Sequence, residues 1–419
     1  MVRVQAPVHT PSDPGNARRL AHPKSLPEFG EGFREGSHDH KPLTLSFRVA
    51  LFITGLSLLL LTPLLSLARL QFAEPTWLAY FEFDGNGSTL YRMAPDGSHP
   101  YPLRSGGEYA IWSPDAQWLM VVDSFNRLGV YVYRVHRNGG WEQLLAHGSH
   151  IGWTSWSPDA RWIILESDID RDWGWDVYRM RADGSDALPL TNTRRDWTPS
   201  SSPDGQWVTY AVNHEDANSR DIYRVRYDGT DEQRLTESKG DDLFPRWSPD
   251  GQWIAFISYR DGQRAIYRMR ADGSEVQRLI ASPGNGGLLD WSPDGQWIAF
   301  LSDLNGSREI YRMRPDGSEV QRLTRNSSDE SFITWSPDSQ WLAFTSDQDG
   351  DWNIYRMRPD GSDVQRLTHS PADELSPAFA PIIDLPWQGA PLLALGGALV
   401  VLSFRWPGRP SAWPCLRLR

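Results

Sequence analysis

A single cysteine, Cys415, stands near the end of the 419-residue chain. It excludes an intrachain disulfide and any cysteine-rich metal site. Stability must then come from packing, which a chain of this length can supply if it is built from repeated units. Catalytic signatures are missing too. The sequence has no strand–turn–helix Gly-x-Ser-x-Gly with a downstream His, no phosphate-binding glycine loop and no His-Glu-x-x-His helix. We therefore expect no catalytic residues and a non-enzymatic role. Positive charge is scarce: 42 Lys and Arg stand against 53 Asp and Glu, a net charge of −11. Residues 1–48 contribute +2 and residues 405–419 contribute +4, which leaves −17 for the stretch between. So acidic a surface repels nucleic acid and favours cations or basic protein partners.

What the chain has in abundance is tryptophan, 21 in all, and a repeat that places it. Trp247-Ser-Pro-Asp-Gly-Gln-Trp253 runs on through Ile254-Ala-Phe-Ile-Ser258, Ile266-Tyr-Arg-Met-Arg270, Ala271-Asp-Gly-Ser274 and Val276-Gln-Arg-Leu279. The Ser-Pro of this motif recurs at Ser113, Ser157, Ser202, Ser248, Ser292 and Ser336, at spacings of 44 to 46. The Tyr-Arg pair recurs seven times, from Tyr91 to Tyr355. Each unit reads as four short strands, a to d, joined by Ser-Pro-Asp-Gly and Asp-Gly turns. Four strands at a period near 44 make the blade of a β-propeller. Unit one begins at strand b, Trp77-Leu-Ala-Tyr-Phe81, and the last stretch, Leu375-Ser-Pro-Ala-Phe-Ala-Pro381, supplies a lone strand a with Phe379 where Trp247 stands. The two ends complete one blade between them, which closes the ring and removes exposed edges. The fold class expected is all-β: a seven-bladed propeller of four-stranded blades over residues 77–380, flanked by transmembrane helices. The regularly placed tryptophans are read as inter-blade packing.

Trp-Ser-Pro-Asp-Gly-Gln-Trp-Ile-Ala-Phe followed by Ile-Tyr-Arg-Met-Arg-x-Asp-Gly-Ser resembles the WD40-like repeats of the TolB β-propeller, over about three quarters of the chain. The resemblance implies the fold and a binding habit, since TolB is periplasmic and binds lipoprotein and membrane partners of the cell envelope. Two departures separate this chain from TolB itself. TolB's α/β domain ahead of the propeller is lacking, and the blade count is seven rather than six. Propellers of this kind also precede the catalytic domain of prolyl-oligopeptidase-like peptidases, whose signature is the Gly-x-Ser-x-Gly missing here.

Residues 1–46, rich in Pro, Gly, His and mixed charge, read as a disordered cytoplasmic tail. Val49 to Ala68 is an uncharged apolar run between Arg48 and Arg69, about the length a spanning helix needs. Residues 47–69 are therefore expected to form a transmembrane helix. A cleaved signal peptide is the rival, opposed by the long leading tail and by Leu67-Ala-Arg69, a poor cleavage site. Residues 385–404 form a second, Pro-containing apolar run, followed by a basic tail at 405–419. Positive charge on the outer flanks of both runs places the termini in the cytoplasm and the propeller on the extracytoplasmic side of the cell membrane.

The repeats stop agreeing in the loops leading into strand a. Glu108, Asp196, Asp241, Asp242, Asp329, Glu330, Asp373 and Glu374 fall there and are expected to ring the mouth of the channel that strands a line, as the site for a protein partner. Asp347, Asp349 and Asp351 alternate as calcium ligands do, but no acidic residue stands at the twelfth position of such a loop, and a hairpin turn is the better reading. No other metal or cofactor is expected. The whole reads as a membrane-anchored protein-binding or scaffold module of the cell envelope. Two alternatives stay open: a sensor taking a small molecule or glycan at the channel mouth, and a metal-dependent propeller hydrolase.

Overall fold

The computed structural model describes residues 76–382, apart from 125–128, 170–173, 194, 215–218 and 282–288. The tail 1–46, both apolar runs and the basic tail 405–419 lie outside these residues. Among the described residues no helix is long and apolar enough to cross a membrane.

Among the described residues twenty-eight strands pair into seven antiparallel four-stranded sheets. The blade holding the reference motif runs Asp242–Trp247, Trp253–Ser258, Ala265–Arg270, Gln277–Ala281, in that order across the sheet. Its strand b is apolar up to Ile257 because both faces are covered, as expected for strands that read as continuous hydrophobic runs. Ile254, Ala255, Phe256 and Ile257 are all buried. Side chains on a strand alternate between faces, so Ile254 and Phe256 pack with Ile222 and Leu235 of the preceding blade. Ala255 and Ile257 pack with Trp291, Ile298 and Phe300 of the following one. The described residues form seven such apolar clusters, one at each junction between neighbouring blades. Leu78, Tyr80 and Met93 with Ala343, Ile354 and Leu367 make the junction that closes the circle.

Ring closure follows the expectation. One sheet has the order Asp373–Phe379, Leu78–Phe83, Ser88–Met93, Tyr101–Ser105, with Leu78 paired to Phe379 and Ala79 to Ala378. The chain enters and leaves the ring side by side, since Ala380 N donates to Trp77 O at 2.7 Å.

The motif's spacing has local causes. Ser248 Oγ bonds Asp250 Oδ1 and accepts from Trp253 N at 2.9 Å, while Gln252 N donates to Asp250 Oδ1 at 3.0 Å. In the Asp-Gly turn, Gly273 has φ +86° and lies so close to the preceding blade that a Cβ would meet Leu235 O at 2.8 Å. Only glycine suits both demands.

The tryptophans fall into two classes. The Trp of Trp-Ser-Pro sits buried at the inner end of the blade and donates its indole N–H across the junction. Trp112 reaches Ala378 O, Trp156 Ile111 O, Trp291 Arg246 O and Trp335 Asp290 O, at 3.0–3.3 Å. The second Trp, on strand b, is half-buried and held between two arginines of strand c. Arg268 and Arg270 each lie 4.0 Å from the Trp253 ring. Arg268 is steadied in turn by Gln277 Oε1 at 2.8 and 3.1 Å. Trp207, Trp297 and Trp341 are clamped alike. Inter-blade packing therefore describes the first class, and cation–π stacking within a blade describes the second. Strand d is shorter than the Val-Gln-Arg-Leu reading in four blades, where only two residues pair, for example Gln321–Arg322.

Candidate functional site

The first strands of the blades wall a cavity of about 790 Å³, lined among others by Tyr109, Trp153, Arg246, Asp290, Phe332 and Pro377. Its volume lies within the range usual for small-molecule sites. The wall is set by a bulge near the middle of strand a. Register shifts fall between Leu243 and Arg246 and between Ser331 and Thr334, and Phe244 and Phe332 take left-handed φ values of 55° and 47°. An extra residue at this place re-aims the side chains around it. Trp153 and Phe332 are each 38% exposed, high for aromatics on the innermost strands. Trp153 packs edge-on against Phe244, ring centroids 6.0 Å apart, and the Arg246 guanidinium lies 5.5 Å from the Trp153 ring.

Two charges face each other on neighbouring strands of this wall. Arg246 and Asp290 occupy the same place in successive repeats, one residue before the indole-donating Trp. Burial pushes the Asp290 carboxyl up to about 6, with Arg246 pulling it the other way. Burial likewise lowers the Arg246 guanidinium from its ordinary value, and Asp290 opposes that shift. Among the described residues the two do not reach ion-pair distance of each other. His150 also lines the cavity, its imidazole stacked on Trp175 at 4.3 Å and its Nε2 3.2 Å from Glu166 Oε1.

Of the eight carboxylates expected at the mouth, only Glu108 lines this cavity. It pairs with Ser124 Oγ, and burial raises its carboxyl. Three others bridge blades: Asp241, Asp329 and Asp373 accept from the backbone N–H of Arg220, Arg308 and Trp352 at 2.9, 2.8 and 3.2 Å. Each begins an inner strand while holding the third strand of the blade before it, and each keeps partial or full exposure to solvent. The remaining four, Asp196, Asp242, Glu330 and Glu374, are buried. Glu330 accepts from Thr324 Oγ1 at 3.0 Å, Asn326 Nδ2 at 2.8 Å and Ser346 Oγ at 3.2 Å. Asp242 is met by Arg260 Nη2 at 3.0 Å, Asp196 by Thr193 Oγ1, and Glu374 by Ser370 N at 3.2 Å.

The calcium candidates go three ways. Asp347 Oδ1 accepts from Asp329 N at 2.9 Å. Asp349 takes Tyr355 OH and Arg366 Nη1. Asp351 is exposed, and its backbone carbonyl accepts from Asn353 Nδ2 at 2.7 Å. Among the described residues no three His, Cys, Asp or Glu side chains gather as a metal site would need.

The buried carboxylates carry a pH dependence. Burial is the main cause that raises Glu330 and Glu374 from 4.5 to about 7 and Asp196 from 3.8 to about 7; Glu309 adds to it at Glu330, Glu82 at Glu374 and Asp176 at Asp196. The folded ring holds these protons more tightly than the unfolded chain. Their contribution to stability is therefore complete below the unfolded values and is lost as pH rises through about 7. Replacing Glu330 by Gln keeps the neutral form at every pH. We expect the unfolding free energy of Glu330→Gln relative to the unaltered chain to rise between pH 5 and about pH 7 and then level off, by on the order of 1–3 kcal/mol. A difference that stays flat or falls in thermal melts would refute the assignment.

Comparison with known proteins places this architecture. Residues 192–286 and 281–384 match the TolB beta propeller domain. No functionally curated protein matches the chain. Among solved structures, TolB from Acinetobacter baumannii superposes with a TM-score of 0.51 at 21% identity, over 73% of this chain and 67% of that one. An oligogalacturonate lyase from Vibrio parahaemolyticus gives 0.55 at 18% identity, over 66% and 85%. A puromycin-hydrolyzing peptidase from Mycobacterium tuberculosis gives 0.52 at 15%, over 70% and 53%. These likenesses concern the fold. Residues 192–384 thus match the TolB beta propeller domain, and the same four-stranded blade continues around a closed ring of seven.

Proposed function

We propose that the ring is a protein-binding module of the cell envelope, held at the membrane by residues 47–69 and 385–404 with the propeller on the extracytoplasmic side. The observation that carries this reading is the mouth of the ring. Partly exposed carboxylates stand at the starts of inner strands, one of them, Glu108, lining a cavity with apolar, aromatic walls, on a stretch of net charge −17 between its basic tails. Aromatic walls with a charged rim suit a partner with an apolar anchor and basic surroundings. The likeness to TolB points the same way, and so does the adjacent entry and exit of the chain at Trp77 and Ala380, which suits attachment at one side. We read the module as non-catalytic.

Neutralising the rim can keep its bonds to the backbone N–H groups of Arg220, Arg308 and Trp352, because Asn keeps an acceptor oxygen, while it gives up the ion pairs of Asp241 with Arg220 and of Asp329 with Arg308. In full-length chain immobilised in mild detergent, Glu108→Gln, Asp241→Asn, Asp329→Asn and Asp373→Asn combined should reduce capture of a partner from envelope extract at least fivefold at moderate salt. The unaltered chain should lose the same partner as salt rises. Capture that is indifferent to both the four changes and the salt would overturn the reading.

A further inference from the structure

The inner wall of the ring keeps its structural duties in the backbone. At the position before the Trp of Trp-Ser-Pro, the carbonyl accepts the next blade's indole N–H whatever the side chain: Ile111, Ala378, Arg246 and Asp290 all do so. Ile111, Thr334 and Ala378 line the cavity at this level without a charge. The fold thus needs neither the guanidinium of Arg246 nor the carboxyl of Asp290, and holding both half-buried in a largely apolar wall is costly. Arg246 has no ion-pair partner among the described residues; its guanidinium rests near the Trp153 ring, 5.5 Å from the centroid. A planar cation held on an aromatic face, beside open aromatic surface, is a carboxylate receptor in form: its fork matches two oxygens, and the rings offer flat surface.

We propose that the channel wall around Arg246 binds a small carboxylate-bearing ligand, the carboxylate taken by the Arg246 guanidinium and a flat face of the ligand laid against Trp153 and Phe332. Asp290 stands close by on the adjacent strand and selects against a second negative charge. It also offers oxygens to a hydroxyl or amine of the ligand. This site is the inner wall of the cavity whose rim is argued to hold a protein partner; its test measures small acids on the chain without that partner, so failure of one reading leaves the other standing.

Two carboxylates with a face that can lie on an aromatic ring, galacturonate through its C–H face and phenylacetate through its phenyl ring, and their uncharged counterparts, galactose and phenylacetamide, test the site by calorimetry and saturation-transfer NMR on the full-length chain. At least one acid should bind with its neutral counterpart silent. A preference for galacturonate identifies an acidic sugar as the ligand class, and a preference for phenylacetate an aromatic acid. Arg246→Gln leaves the carbonyl that Trp291 uses and should weaken the acid about tenfold or more. Asp290→Asn removes the opposing charge and should tighten it about threefold, an effect of opposite sign that a merely structural role does not produce. Thermal melts of both variants serve as the folding control. The proposal falls if neither acid binds at millimolar concentration, if neutral counterparts bind equally, or if a folded Arg246→Gln protein binds as the unaltered one does.

Discussion

A chain ended after Thr368 should fail to form the ring. The cut removes Asp373–Phe379, which is strand a of the blade begun by Leu78–Phe83. Leu78, Ala79 and Phe81 lose their strand partners Phe379, Ala378 and Leu375, and Trp112 loses the Ala378 carbonyl to which its indole donates. Two junctions are then open at once: the one carrying Phe81, Leu90 and Trp112, and the one carrying Leu78, Tyr80 and Ile354. A strand buried on both faces becomes a sheet edge, the arrangement that promotes edge-to-edge association. The cost should exceed about 5 kcal/mol, comparable with the whole stability of many domains. Size-exclusion chromatography should show aggregate, and thermal melts should show no cooperative transition. A chain ended after Ile382 should keep the ring and its cooperative melt. Equal behaviour of the two truncations would mean that the ends do not close the circle.

The two tryptophan classes differ in what they hold, and substitution should separate them. Trp335 is 4% exposed and packs with Ala299, Leu301 and Leu342 across a junction. Trp335→Ala should cost about 3–5 kcal/mol, the range for emptying a large aromatic from a core. Trp335→Phe keeps most of the packing and leaves the Asp290 carbonyl without its indole donor, for a cost of about 1–2 kcal/mol. Trp341 lies on the outer side, between Arg356 and Arg358 at 4.0 and 3.9 Å, and Trp341→Ala should cost only about 1–2 kcal/mol. Denaturant titration measures all three. An outer tryptophan that matches the inner one in cost would contradict the division.

The repeat made the blades legible because its signals are local. Pro at Ser-Pro, Gly at Asp-Gly and the apolar run of strand b each state a backbone preference within a few residues. Closure was legible for the same reason: Leu375-Ser-Pro-Ala-Phe379 aligns with Leu243-Phe-Pro-Arg-Trp247. The fate of the acidic residues was not. Asp241 and Asp242 are chain neighbours, yet one bridges to Arg220 in the blade before and the other is buried against Arg260. Alternation along a strand turns one carboxyl outward and the next inward, and the sequence does not carry the partner that meets it twenty residues away. The cavity wall is a different case. Arg246 and Asp290 interrupt a position held elsewhere by Ile111, Thr334 and Ala378, a departure visible in the aligned repeats. The exposure of Phe332 depends on a bulge, which no local pattern in Phe332-Ile-Thr-Trp335 announces.

Binding at the mouth and inner strands of the closed ring is the expectation on which the proposed function rests. Hydrogen exchange on the full-length chain, free and with its captured partner bound, tests it most directly. Protection should rise at the starts of the inner strands, at Glu108–Trp112, Asp241–Phe244 and Asp329–Ile333, while the outer strands such as Gln277–Ala281 keep their free-state rates. Protection confined to the outer strands, with the inner ones unchanged, would contradict the account.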